Sequence, residues 1–150
     1  MSFPPTDYLA AEAGIVARLE EVLIDAELPG VKVWTAANFP ETDEDSQPVP
    51  RIDVIYDGDR NIESSPGGAS IEQLWNIVIA VRNVAASTSA KAARATAGPL
   101  AVVVCRGLYD FSPGYGLAKL RQASSPYRAT LSGWRYYLPL AFTTHFSLRR

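Results

Sequence analysis

The closing stretch RYYLPLAFTTHFSL (residues 135–148) has the clearest strand pattern in the chain. Its large apolar side chains recur with a period of two, and they are Tyr136, Leu138, Leu140, Phe142, Phe146 and Leu148. Arg135 and His145 fall on the other face. This alternation predicts a strand with one face in the core. Pro139 has no N–H to give to a ladder, so it predicts a sheet edge or a bulge at that point.

Two further stretches predict long strands. Residues 51–57 alternate, with Ile52, Val54 and Tyr56 on one side and Arg51, Asp53 and Asp57 on the other. Residues 71–83 are apolar on both faces, which predicts a central strand covered on both sides. Gly58 and the stretch 64–68 predict a loop between the two strands. Shorter strands are predicted at residues 31–34, 117–123 and 128–131.

Two helices are predicted as well. The first runs from an N-cap at Thr6 to about Glu27, with Ile15, Leu19, Val22, Leu23 and Ala26 on one face. The second follows cap candidates at residues 87–89 and reaches about Tyr109, where Gly98 and Pro99 predict a kink or a division. Pro29 and Gly30 end the first helix.

The order of these elements predicts the fold class. Helix, strands, helix and strands follow one another without a βαβ rhythm, and the links in the second half are of hairpin length. This order predicts an α+β fold with a mainly antiparallel sheet of about four to six strands and two helices packed on one face. With 150 residues, 47% of them hydrophobic, the chain fits a single domain over residues 1–150.

Charge is divided unevenly along the chain. Residues 1–63 hold 14 acidic and 4 basic side chains, and residues 64–150 hold 2 acidic and 10 basic ones, so the halves carry −10 and +8. A fold that keeps these halves apart gives each subunit unlike faces, which can meet head to tail. A fold that interleaves the halves cancels the difference, and the sequence leaves both outcomes open.

The chain offers few groups for catalysis or for binding of a metal or a cofactor. It has one histidine, His145, and one cysteine, Cys105, which lies in an apolar run that favours a buried, inert thiol. Residues 57–61 begin like a calcium loop, but Ile62 and Gly68 stand where glycine and glutamate are required. We therefore expect no catalytic residue, no metal and no cofactor.

Targeting signals are not evident. No apolar stretch approaches the roughly 20 residues that a membrane helix needs, and the first residues lack the pattern of a secretion signal. We expect no membrane contact and a cytoplasmic product. The second half mixes basic and aromatic residues, which leaves a small nucleic-acid-binding protein as an alternative.

Taken together, five segments resemble the phage tail terminator or tail completion proteins, particularly the Mu-like group. They are the opening helix from Thr6, the strands at 50–54 and 75–81, the helix around 100–108 and the closing strand from Gly133. The resemblance covers about residues 6–148 and rests on size, element order and texture. A different head-to-tail connector or neck subunit is the main alternative.

The resemblance implies a structural virion protein at the head-proximal end of the tail. Such a protein forms a ring, usually of six copies, that caps the tail tube, stops its polymerisation and offers a docking surface to the neck or head-completion protein. Its partners are then other copies of itself, the tail tube protein and the neck, while DNA passes through the lumen without specific binding.

Interface residues are predicted from charge, since the resemblance supplies no motif for them. We expect the acidic loop, with Glu41, Asp43, Glu44 and Asp45, to project toward the tube, the lumen or the neck. We expect the basic residues of one subunit to meet an acidic surface of the next, with these candidates: Arg121, Arg128 and Arg135.

Overall fold

The computed structural model describes residues 5–39, 46–83 and 90–149. Two helices, α1 (Ala11–Asp25) and α2 (Lys91–Leu108), accompany six strands. The strands are β1 (Lys32–Trp34), β2 (Arg51–Ser65), β3 (Gly68–Arg82), β4 (Arg121–Ala123), β5 (Thr130–Ser132) and β6 (Arg135–Arg149). A short 3₁₀ helix, Ala36–Asn38, follows β1.

The strands form one mixed, mostly antiparallel sheet. Its order is β1-β2-β3-β6-β4, and β5 pairs with the first residues of β6. Only β1 and β2 run parallel among the strands described, and β3 lies at the centre as its two apolar faces predict. The α+β fold class is therefore confirmed, with a strand number at the upper end of the expectation.

Both helices cover the same face of the sheet. Ile15 and Leu19 of α1 are fully buried in one core cluster with Trp75, Ile77 and Phe142 of the sheet. The helices also pack closely on each other and on the loop after α2. Arg18 Nε, for example, donates to the Gly107 carbonyl oxygen at 2.8 Å. We call the opposite side of the sheet the open face.

The first helix begins later than predicted. Thr6 does not cap it, because α1 starts at Ala11 and its N-cap position is Ala10. Contacts of Tyr8 hold the preceding segment instead. Gln73 Nε2 donates to the Tyr8 carbonyl oxygen at 2.7 Å, and the Tyr8 ring packs edge-on against Phe146 at 5.4 Å.

The second helix is continuous through Pro99, so of the predicted kink or division the division is wrong. Pro99 cannot donate to the carbonyl of Ala95, but both residues are exposed and water can satisfy that carbonyl. The predicted caps at residues 87–89 lie outside the described residues.

The loop predicted after Asp57 is instead a continuation of β2. Residues 58–65 pair with β3 down to a two-residue turn at Pro66 and Gly67, with register shifts after Tyr56 and after Asn61. We call residues 58–67 the hairpin tip. Its side chains are mostly exposed, so it has no apolar alternation from which a strand could be predicted.

Pro139 lies where β6 is locally an edge. On one side β6 pairs with β3 along its whole length, and on the other it pairs with β5 at residues 135–137 and with β4 at residues 141–143. Among the described residues, no strand pairs with the outer side of β6 at Pro139. The edge predicted from this proline is therefore confirmed at local scale.

A connecting segment crosses the open face. Residues 124–129, which we call the strap, join β4 to β5. Although both strands pair with β6, the Tyr127 hydroxyl donates to Asp57 Oδ1 of β2 at 2.9 Å. The strap therefore spans the open face from β6 across β3 to β2.

Candidate assembly surfaces

Arg51 and Asp53 form a buried ion pair on the open face. Arg51 is 1% exposed, and it donates to both Asp53 carboxylate oxygens, from Nε at 2.6 Å and from Nη2 at 3.0 Å. The guanidinium lies 4.7 Å from the ring centre of Trp34 and 5.4 Å from that of Phe39. Burial raises the pKa of Asp53, and the hydrogen bonds and charge of Arg51 oppose that rise. The pair is thus a buried structural contact, although both residues lie on the face of β2 opposite the core.

Two arginines hold the chain that follows the acidic loop. Arg51 Nη1 donates to Gln47 Oε1 at 3.3 Å and to the Pro48 carbonyl oxygen at 3.2 Å. Arg135 Nη2 donates to the Gln47 carbonyl oxygen at 2.5 Å. The chain before the loop is held as well, since Phe39 packs edge-on against Trp34.

These contacts place the candidate interface residues in three groups. Arg135 is only 4% exposed and donates to the Gln47 carbonyl of its own subunit. Alternation along the strand gave no sign of this burial. Arg121 on β4 and Arg128 in the strap are exposed. Glu41, Asp43, Glu44 and Asp45 lie outside the described residues. A role in an interface stays a prediction for all seven candidates.

Among the described residues, the fold partly separates acidic from basic side chains across the width of the sheet. β1 and β2 form one side of the sheet and β6 and β4 the other, so sequence order largely becomes spatial order. The helices repeat the contrast. α1 has four acidic residues and one arginine, whereas α2 has three basic residues and no acidic one. α1 contacts β1 and β2, while α2 contacts β3 and β6. Of the two outcomes open from sequence, partial segregation is the one observed.

The C-terminal end of α1 combines acidic charge with a strained cap. Glu27 has a left-handed φ of 57°, and the amides of Glu27 and Leu28 donate to the carbonyls of Ile24 and Leu23. This arrangement is a Schellman motif, which normally has glycine at the left-handed position. Asp25 and Glu27 also sit at the negative end of the helix dipole, where acids are unfavourable. Strained residues cluster at functional sites, so this end of α1 is a candidate surface.

A second cluster fastens the N-terminal segment to the hairpin. The hydroxyls of Tyr8 and Tyr56 both donate to Asp59 Oδ2, from Tyr8 at 2.5 Å. These two hydrogen bonds, the one from Tyr56 foremost, hold the pKa of Asp59 below its usual value. Burial and the Asp59 carboxylate raise the pKa of Tyr56. These hydrogen bonds join the N-terminal segment to the hairpin through one carboxylate. The spacing of the three residues in the sequence does not predict this contact.

The described residues contain no cluster of acidic, histidine or cysteine side chains that could hold a metal ion. The residues of the imperfect calcium loop, 57–61, belong to β2. His145 is exposed on β6, and burial raises the pKa of the half-buried Cys105 thiol, which opposes formation of a thiolate nucleophile. Within the described ranges, neither helix is long and apolar enough to span a membrane.

Comparison with known proteins shows the family of the chain. A model of the phage tail terminator protein family matches residues 6–150. The chain belongs to the phage tail terminator family. The resemblance stated from sequence is therefore confirmed, and the family is one of structural tail proteins.

A similar fold occurs in a solved particle. A chain in the structure described as "Virion of native gene transfer agent (GTA) particle" superposes with a TM-score of 0.57. The match covers 95% of this chain and 100% of that one at 18% identity, a level that establishes a shared fold. No curated protein matches in sequence.

Proposed function

We propose that the protein is the tail terminator itself, a ring that caps the tail tube at its head-proximal end. The ring stops tube polymerisation and offers a docking surface to the neck or head-completion protein. Family membership supports the tail assignment. The observation that carries the ring is the lateral separation of charge, with α1 and β2 on the acidic side and β4 and β6 on the basic side.

Head-to-tail contact follows from that separation. The acidic side of one subunit faces the basic side of the next, where Arg121 and Arg128 are exposed. Such a contact joins two different surfaces, so it repeats from subunit to subunit and closes when the rotation permits. Six copies are expected in the closed ring.

The acidic loop is proposed to face the tube, the lumen or the neck. The chain on both sides of it is fastened by Arg51, Arg135 and the paired rings of Trp34 and Phe39. The loop therefore begins and ends at fixed positions on the subunit. Four carboxylates at a lumen repel the DNA that passes through and keep it from binding.

Light scattering after size-exclusion chromatography, at low and high salt and with purified tail tube protein added, tests the ring. A closed oligomer that weakens as salt rises is expected, since exposed charges are screened. A strict monomer in all these conditions contradicts the ring.

Imaging of particles assembled without the protein tests the position. Overlong tails are expected, whereas unattached tails of normal length assign the protein to the neck.

Charge reversal tests the loop. Single Glu→Lys or Asp→Lys substitutions at Glu41, Asp43, Glu44 and Asp45 are expected to weaken tube binding or ring assembly. Glu63→Lys is the matched control, because Glu63 is an exposed acid of the hairpin tip. Loop variants that behave like Glu63→Lys in both assays remove the loop from the interface.

A further inference from the structure

The outer surface of α1 carries an apolar knob inside an acidic border. Ile24 is 69% exposed, the highest value among the large aliphatic side chains described. The neighbouring acids on the same turns are Glu20, Glu21, Asp25 and Glu27. Glu21 pairs with Arg18, while the other three form no ion pair with any described residue. We call Ile24 with these acids the α1 knob.

The open face carries an apolar socket. A cavity of about 250 Å³ lies between the strap and the sheet. Its lining residues are Asn76, Val78, Tyr127, Arg128, Thr130, Tyr137 and Pro139. Asn76 is 3% exposed, and within the described part of the chain its Oδ1 has no hydrogen-bond partner. We call this cavity the strap socket.

The border of the socket is basic. Arg128 lines it, and Arg121 is exposed on the neighbouring strand β4, at a register position opposite Thr143 of β6. Asp57 of β2 accepts a hydrogen bond from the hydroxyl of Tyr127 in the strap at 2.9 Å. An apolar hollow with a positive rim is complementary to an apolar side chain with a negative rim.

We propose that the α1 knob of one copy docks into the strap socket of the next. The inference rests on the ring proposed above and assigns its subunit contact. The knob lies on the helical side of the subunit and points away from the sheet, because the opposite face of α1 is the buried one. Asn76 and Val78 point to the open face. Because the two surfaces lie on opposite sides of the subunit, the contact is heterologous and extends from copy to copy.

The knob can be removed without disturbing the monomer. Ile24→Ser is expected to weaken association by about ten- to a hundred-fold, the effect of losing burial of one isoleucine side chain. Ile62→Ser is the matched control, because Ile62 is 51% exposed and lies in the hairpin tip. Sedimentation velocity over a concentration series measures both variants, and unchanged thermal unfolding of the monomer shows that each is folded.

Cross-linking tests the pairing of the two surfaces directly. In a Cys105→Ser background, a chain with both Ile24→Cys and Thr130→Cys is treated with a short bismaleimide. A ladder of products that ends at the ring number is expected, since each copy then offers one cysteine on each side. A mixture of the two single-cysteine chains is expected to stop at dimers.

The outcomes separate this inference from the ring. A ring that forms in wild type, with Ile24→Ser behaving like Ile62→Ser and no ladder, overturns the docking of knob and socket and leaves the ring intact. No oligomer in any condition, with or without tube protein, overturns both. A ladder together with selective loss of association in Ile24→Ser supports both.

Discussion

Removal of the Arg51 side chain charge should leave a carboxylate buried without a counterion. Asp53 is 3% exposed, and Arg51 supplies both of its hydrogen bonds. Arg51→Met keeps most of the apolar stem and deletes the guanidinium. Stranding one member of a buried pair costs about 3–5 kcal/mol. At about 2–4 °C per kcal/mol for a chain of this size, Tm should fall by roughly 6–20 °C.

The pH dependence of this variant gives the sharper signature. Burial already raises the pKa of Asp53, and loss of Arg51 removes the influence that opposes the rise. A carboxyl whose folded-state pKa exceeds its unfolded value favours the fold at low pH, and that contribution is lost as pH rises through the folded value. The deficit of Arg51→Met relative to wild type should therefore be small in acidic buffer and grow toward neutral pH.

Urea unfolding followed by circular dichroism measures both effects. Arg60→Met is the matched control, since Arg60 is 73% exposed and its ion pair with Glu72 should contribute less than about 1 kcal/mol. The double variant Arg51→Met/Asp53→Leu should regain most of the loss, because an apolar pair often replaces a buried ion pair at little cost. Equal losses in the single and double variants would refute the stranded carboxylate as the cause.

Three smaller predictions concern other sites. Glu27→Gly should raise the free energy of unfolding by about 1 kcal/mol in urea titrations, because glycine adopts the left-handed φ of 57° without strain. Asn76→Leu should raise it by about 1–3 kcal/mol, since the buried Oδ1 has no described partner, and a lower stability would show that the amide is solvated. Because the pKa of Asp59 is lowered in the folded state, its ionised carboxylate stabilises the fold at pH values above the ordinary aspartate pKa. This contribution is lost as the pH falls through the folded-state pKa. Acid titration of Tyr8→Phe/Tyr56→Phe should lack that step.

β3 and β6 could be predicted from sequence, because their apolar patterns depend only on local geometry. In β6 the large apolar side chains repeat with a period of two over more than ten residues, and β3 is apolar on both faces. The hairpin tip could not be predicted this way, because its side chains are exposed and it is held by backbone pairing with β3.

Burial of the charged residues on the open face could not be predicted, because their covering comes from distant segments. Alternation correctly places Arg51 and Asp53 away from the helices, but Trp34, Phe39 and the chain near Gln47 cover them. The same holds for Arg135. The α1 knob is recognisable in sequence as an isoleucine among acids, whereas the strap socket exists only once residues 124–129 cross the sheet.

The lateral order of charge has a consequence for the electric field of the assembly. Because the acidic residues of α1 and the basic residues of α2 lie over different sides of the sheet, the described part of a subunit has a transverse dipole component. In a closed head-to-tail ring these dipoles lie along the circumference, and by rotational symmetry their vector sum is zero. Ring closure would then cancel the dipolar part of the long-range field, which attracts further subunits, and would leave the field of the net charge of −2 per subunit, which repels them.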